Sequence, residues 1–190
     1  MFPGRDTNFN DIPWCAELIK DPSFEYSPTY SREPKDSGED SFFAETLQTD
    51  RTIRRCLSIN SRPNPNLNPP IHEVRTFLEL GNGLNGYPNV CHGGFVATIL
   101  DEVMGVLLTI NQKWMRQRRG AGEHITQMTA SLNIKYRRPV KTPGTILAIA
   151  KITKTEPRKW WIRATIEDSG RRELAIGEAL FVEAKSDPRL

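Results

Sequence analysis

A His-Gly-Gly turn, His92-Gly93-Gly94, precedes a long apolar run, and the ninth residue after the histidine is an acid, Asp101. From Phe95 to Ile110 the only formal charges are Asp101 and Glu102. A helix apolar on nearly every side must be buried on nearly every side. An acid on such a helix is either desolvated and functional or turned toward an opening. The first N–H groups of a helix lack intrahelical acceptors and, with the helix dipole, favour negative charge. Glycines at that position let a ligand approach the backbone closely, and desolvation raises a carboxyl toward the range of a useful base. Together these are the parts of a reaction in which charge develops on a substrate oxygen.

The elements that would position these residues follow from the patterning. The helix is expected from about Gly94 to Ile110, with a continuation into Asn111–Arg119. Lys113, Arg116, Arg118 and Arg119 there read as a solvated basic end suited to the macrodipole. The segment Asn111–His124 is an insertion that either lengthens the helix or covers a pocket mouth. Glu73–Leu80 reads as a strand, followed by a Gly/Asn-rich loop from Gly81 to Asn89. After the helix, Thr126–Tyr136, Thr145–Thr155, Trp160–Glu167 and Glu173–Val182 read as strands. In the first of them, Met128, Ala130, Leu132, Ile134 and Tyr136 alternate onto one face. Pro143-Gly144 and Asp168-Ser169-Gly170 supply turns. One apolar helix followed by an antiparallel meander packs economically when the sheet curls around the helix, an α+β arrangement.

Residues 1–70 form an N-terminal extension in this reading, and 71–190 the main domain. Residues 1–40 show no sustained period beyond a short helical turn near Pro13–Ile19. Ser41 can cap a helix, and Phe42, Phe43, Leu47, Ile53 and Leu57 fall roughly on one helical stripe, so an amphipathic helix is expected over about 41–57. The stretch Ser61–Pro70 is a Pro-stiffened linker.

Bulk composition excludes several classes. The 190 residues are 37% hydrophobic and 26% charged, fitting a globular protein. A net charge of +3 without a clustered basic face gives no case for nucleic acid. Apart from the helix run, no apolar stretch approaches the roughly 20 residues that span a bilayer. Met1–Asp6 lacks an apolar signal core, Asp6 and Asp11 weigh against a mitochondrial presequence, and Pro188-Arg189-Leu190 only loosely resembles a peroxisomal tripeptide. The expected location is cytoplasmic, with mitochondrion and peroxisome left open. Cys15, Cys56 and Cys91 lack metal-ligand spacing and read as reduced thiols, Cys91 as a buried structural one despite its neighbour His92.

The order strand, loop, His-Gly-Gly, buried helix, long antiparallel strands resembles the hotdog fold. His92-Gly93-Gly94 with Asp101 resembles the acyl-CoA thioesterase branch that includes PaaI and the mammalian thioesterase-superfamily proteins. The block Met128–Pro139 is similar to a strand in those proteins ending in an Asn-Ile-x-Tyr-x-x-Pro-like signature. The resemblance covers roughly residues 72–184, and the N-terminal third resembles an extension seen in fungal members.

The resemblance implies thioester hydrolysis of an acyl-CoA or carrier-bound acyl substrate, with no cofactor beyond the coenzyme A that the substrate carries and no metal. It implies a homodimer with shared active sites, with a tetramer as a further state. Gly93 N–H becomes the principal oxyanion donor and Asp101 the general base or nucleophile, facing the His-Gly-Gly turn of the partner chain. Thr129 orients water or carboxylate. His92 is a site residue whose role is open. Gly94, Asn85 and Asn89 are candidates near the acyl group. Arg158-Lys159 and Arg137-Arg138 are candidates for the coenzyme A phosphates, with solvated surface charge as the equal alternative. Trp160 and Trp161, adjacent on a strand, should face opposite ways. Glu102, about 100° around the helix from Asp101, reads as a salt-bridge or exposed-edge residue. Two other readings compete: a hotdog hydratase or dehydratase, and a non-catalytic hotdog domain binding an acyl ligand or partner.

Overall fold

The structure, a computed structural model, describes residues 8–119 and 127–184. Met1–Asp6, Pro188–Leu190 and the 120–124 part of the insertion lie outside the described residues. The remainder of the insertion lengthens the helix, α2, which runs Gly93–Arg119 over 27 residues. Before it come α1 (Pro13–Ile19), β1 (Phe24–Ser27), β2 (Ile53–Ser61), β3 (Glu73–Leu80) and a small hairpin of β4 (Asn85–Tyr87) and β5 (Val90–Cys91). After it come β6 (Gln127–Tyr136), β7 (Gly144–Glu156), β8 (Lys159–Glu167) and β9 (Glu173–Glu183). Among the described residues the main sheet has seven antiparallel strands in the order β1-β2-β3-β7-β8-β9-β6. This is the helix-and-sheet arrangement expected from the sequence.

The inner face of the sheet packs on α2 through Val74, Leu78, Ile146, Ala148, Ala164 and Ile166 against Val96, Ile99, Leu100, Val103 and Leu107. The approach is close at Gly177 on β9, where an added Cβ would lie 3.1 Å from Met104 Cε and 3.4 Å from Leu100 Cβ. Asn111 secures the far end of α2. Buried, it accepts from Ile71 N–H at 3.0 Å and donates to Ile71 C=O at 2.8 Å. The outer sheet face has its own core, in which Leu57, Ile59, Phe77, Leu147 and Ile149 meet Phe9 and Cys15, with Trp14 and Leu18 of α1 packed on them.

The helix expected over 41–57 is corrected. Only a short π-helical turn forms at Phe42–Thr46, and Ile53–Ser61 is strand β2. The apparent stripe has a strand explanation. The β2–β3 register shifts between Ile53 and Arg55, so Ile53 packs in the inner core while Leu57 and Ile59 pack in the outer one. The bulge sets an i, i+4 pair of apolar residues on opposite faces of a strand. The extension therefore supplies β1 and β2 to the main sheet and is only partly helical.

The sheet does not close around α2 by itself. The face carrying Glu102, Val106, Thr109, Lys113 and Arg116 looks toward residues 28–40, across a cavity of about 280 Å³. Arg32 holds this strap in place, donating to the carbonyls of Phe43 at 2.8 Å and of Leu47 and Ile53 at 3.3 Å. Lys113 Nζ stands 2.9 Å from the Tyr30 ring centroid. The basic end of α2 is therefore only partly solvated, because Lys113 and Arg116 line the cavity beneath the extension.

Candidate active site

The turn at the start of α2 is fixed from both sides. Cys91 N–H donates to Val140 C=O and His92 N–H to Leu84 C=O, both at 2.8 Å. His92 is the N-cap. Its carbonyl accepts from Phe95 and Val96 N–H, and its ring Nδ1 accepts from Gly94 N–H at 3.0 Å. The side-chain cap consumes the Gly94 donor and leaves Gly93 N–H with no acceptor among the described residues. Of the two glycines, Gly93 is thus the one whose N–H stays open, and it is the one to which the resemblance gives the oxyanion role. Gly93 C=O accepts from the Tyr136 hydroxyl at 3.0 Å. Cys91 is buried, and burial pushes its thiol up to about 11, the inert structural thiol expected.

A groove of about 660 Å³ opens in front of this turn, with His92, Gly93, Tyr136, Arg137 and Arg138 among its walls. Arg138 Nη1 also donates to Glu173 C=O at 2.8 Å. Asn85 and Asn89 are not among the groove residues and serve the β4–β5 hairpin. Thr142 Oγ1 hydrogen-bonds Asn85 Oδ1, and Asn89 takes a left-handed φ of 60° and accepts from Thr142 N–H at 3.2 Å. From that hairpin it is Gly86 and Tyr87 that reach the groove.

Asp101 sits about two turns further along α2, roughly 12 Å by helical rise. Thr129 Oγ1 donates to Asp101 Oδ1 at 2.9 Å, joining helix and β6. The alternation expected for β6 breaks between Thr129 and Ser131, where the register to β9 shifts. The bulge turns Thr129 to the helix side together with Leu132 and Ile134, and leaves Met128 54% exposed. Asp101 and its neighbour Glu102 are both half-buried. Glu102, expected at an exposed edge, lies beneath the extension and accepts from Ser31 Oγ. Burial pushes its carboxyl up to about 7. Glu102 is thus desolvated beneath the extension, while Asp101 faces β6 and takes the Thr129 hydrogen bond.

Arg158 and Lys159 lie elsewhere. They form the β7–β8 hairpin, with Lys159 opposite Val182 of β9, which in turn stands opposite Met128 of β6. Arg158 donates to Glu183 C=O at 3.2 Å. Within one chain the structure gathers His92, Gly93, Gly94, Arg137 and Arg138 at one end of β6, and Asp101, Thr129, Arg158 and Lys159 toward the other. Trp160 packs against the inner core, whereas Trp161 takes Lys154 over its ring at 4.6 Å, as adjacent strand residues should.

The Thioesterase superfamily profile matches residues 88–175, from the β4–β5 turn into β9. Verlamelin biosynthesis protein B of Lecanicillium sp is 28% identical over 172 residues, 77% of this chain and 74% of its own. Acyl-coenzyme A thioesterase THEM4 of Rattus norvegicus is 31% identical over 111 residues, 58% of this chain and 43% of the rat protein. The mitochondrial membrane protein FMP10 of Saccharomyces cerevisiae is 26% identical over 146 residues, 76% of this chain and 57% of the yeast one. This chain thus spans about half the length of the rat and yeast relatives or less. Two solved structures share the fold. One is described as a thioesterase superfamily protein, with TM-score 0.52 and 23% identity over 67% of this chain and 53% of its own. The other is a hypothetical thioesterase protein from Streptococcus pneumoniae with coenzyme A, with TM-score 0.51 and 13% identity over 60% of this chain and 79% of its own. A single helix seated on an antiparallel sheet gives this chain the hotdog fold, and the match over residues 88–175, running through the His-Gly-Gly turn and Asp101, makes it similar to the thioesterase superfamily.

Proposed function

We propose that the protein hydrolyses the thioester of an acyl-CoA or carrier-bound acyl substrate, in sites shared across a homodimer. The observation that carries this is the Thr129–Asp101 hydrogen bond at the open edge of the sheet. Strand β6 is last in the sheet order, pairs only with β9 among the described residues, and is exposed along most of its length. An unpaired edge of this kind is a template for another strand. Antiparallel pairing of two β6 strands about a two-fold axis sets the Tyr136 end of one beside the Thr129 end of the other. Gly93 of one chain then approaches the partner's Asp101, and the Arg158-Lys159 hairpin approaches the partner's groove. The same contact buries Asp101 further.

Thr129 occupies Oδ1 and leaves Oδ2 for a water. Asp101 takes a proton from that water as its oxygen bonds to the thioester carbon. Negative charge moves to the carbonyl oxygen, where the free Gly93 N–H stabilises it at the positive end of α2. Collapse breaks the carbon–sulfur bond, and the leaving thiolate takes up the proton that Asp101 drew from the water, which restores the carboxylate. Arg137 and Arg138, on the groove wall, suit the phosphates of coenzyme A. The compartment we infer is intracellular, cytoplasm or mitochondrion, the second because one yeast relative is named as mitochondrial.

The test is thiol release by the purified protein from a panel of acyl-CoAs of graded chain length, beside Asp101→Asn. A general base of this kind accounts for roughly 10²–10⁴-fold, and a loss of that size is expected. Absence of thiol release from every substrate, or full activity in Asp101→Asn, overturns the proposal.

A further inference from the structure

The His92 ring is slotted between two glycines from different elements. A Cβ on Gly86 of the hairpin would stand 2.9 Å from His92 Cα and 3.1 Å from Cδ2. A Cβ on Gly94 of α2 would stand 3.1 Å from Nδ1 and 3.2 Å from Cε1. The absence of both side chains sets the plane and rotation of the imidazole. Nδ1 is turned onto Gly94 N–H at 3.0 Å. A ring nitrogen that accepts a hydrogen bond carries no hydrogen, so the neutral ring must carry it on Nε2. The side chain is exposed and borders the groove.

The same peptide group is held from its other end. Gly93 C=O and Gly94 N–H belong to one planar amide, and the Tyr136 hydroxyl donates to that carbonyl at 3.0 Å. A donor on the carbonyl polarises the amide and strengthens its N–H as a donor in turn. The bonds run in one direction, from Tyr136 O–H to Gly93 C=O, through the amide to Gly94 N–H, and on to His92 Nδ1. The Tyr136 ring also lies alongside Gly93, 3.7 Å from the position of an added Cβ.

We infer that Tyr136 is a positioning residue that, through the Gly93–Gly94 amide, fixes His92 as a neutral Nε2–H donor to a substrate oxygen in the groove. His92 is then not the base, and the turn offers two donors, Gly93 N–H and His92 Nε2–H. This assignment rests on the thioesterase reading for its substrate but not for its tautomer.

The tautomer is read by long-range proton–nitrogen correlation NMR on the full chain with ¹⁵N-labelled histidine. The protein has three histidines, and His92→Gln identifies the signal. A single Nε2–H form is expected for His92. Tyr136→Phe keeps the ring and removes one hydroxyl. A mixed tautomer population is expected there, with kcat for thiol release down about tenfold and KM within about twofold, as for one lost hydrogen bond. His92→Gln, which keeps an N–H near the Nε2 position, should retain several-fold more activity than His92→Ala. An Nδ1–H form in the unsubstituted protein, or an unaltered tautomer in Tyr136→Phe, overturns the inference. An Nε2–H form in a protein that releases no thiol upholds the relay and overturns the hydrolase reading.

Discussion

Thr129 Oγ1 donates to Asp101 Oδ1 at 2.9 Å, across the interface between the exposed edge strand and the core helix. The bond exists because the β6 bulge rotates Thr129 onto the helix side. Thr129→Val keeps the shape and removes the donor, leaving Asp101 free to rotate. An activity loss of about tenfold is expected, the low end for a hydrogen bond to a charged group because the site is open in one chain. Thr129→Ser should recover most of it. Equal activity in Thr129→Val and the unsubstituted protein, measured as kcat, would remove Thr129 from the site.

Gly93 offers a near-atomic test of the oxyanion donor. It is the first residue of α2, where proline is tolerated because that N–H has no role in the helix. Gly93→Pro therefore deletes the proposed donor with little cost to folding. Gly93→Ala keeps the donor, and its Cβ would meet only Tyr136 at 3.7 Å, an ordinary contact. The proline variant should lose roughly 10²–10³ in kcat and the alanine variant much less, with thermal melts of both close to the parent. Matching losses in the two would mean that close approach, and not the N–H, is what Gly93 provides.

Much of this site was legible in the sequence because its parts are local. His92, Gly93 and Asp101 lie on one helix and its cap, so spacing alone relates them, and the family resemblance added Thr129. What escaped depends on contacts between distant segments. Glu102 reads as an edge residue until Ser31, 71 positions earlier, is seen to cover it. Ile53 and Leu57 mimic a helical stripe because a bulge separates them, and no composition signal marks Arg54 as the extra residue. Tyr136 sat in the recognised strand block, but its bond to Gly93 spans 43 positions and has no local signature. Asn85 and Asn89 have the right type near the right place, yet the structure ties the Asn85 side chain and the Asn89 carbonyl to Thr142, and neither residue lines the groove.

Glu102 makes stability fall with rising pH. Burial is the largest cause of its upward shift, from 4.5 to about 7, with the charges of Asp40 and Asp101 adding to it and Ser31 and Arg32 opposing it. Lys35, Glu39, Lys113 and Arg116 also face the cavity it borders. A carboxyl that holds its proton more tightly in the folded state contributes stability in full below about 4.5, and that contribution is lost as pH rises through about 7. The size is on the order of 3 kcal/mol by linkage. Urea midpoints should drop between pH 5 and pH 8.5, and Glu102→Gln, which still accepts from Ser31, should flatten that dependence. A parallel fall in both proteins would assign the effect to other groups.

The edge-strand dimer predicts complementation between two inactive chains. Asp101→Asn lacks the base and Gly93→Pro lacks the oxyanion donor. If each site takes Gly93 from one chain and Asp101 from the other, a mixed dimer contains one site with both lesions and one with neither. Random reassociation makes about half of the dimers mixed, so activity should return to about one quarter of the parent level. If instead Gly93 and Asp101 act within one chain, every site in the mixture carries a lesion and nothing returns. The mixing must pass through dissociated chains, and Asn133→Lys on exposed β6 supplies the control. It sets like charges near one another across the two-fold axis, a cross-strand penalty of roughly 0.2–1 kcal/mol per pair. Sedimentation of Asn133→Lys should show a weaker dimer, and its thiol release should fall at low protein concentration and recover at high. Activity independent of concentration in that variant, together with no complementation, would return the whole site to a single chain.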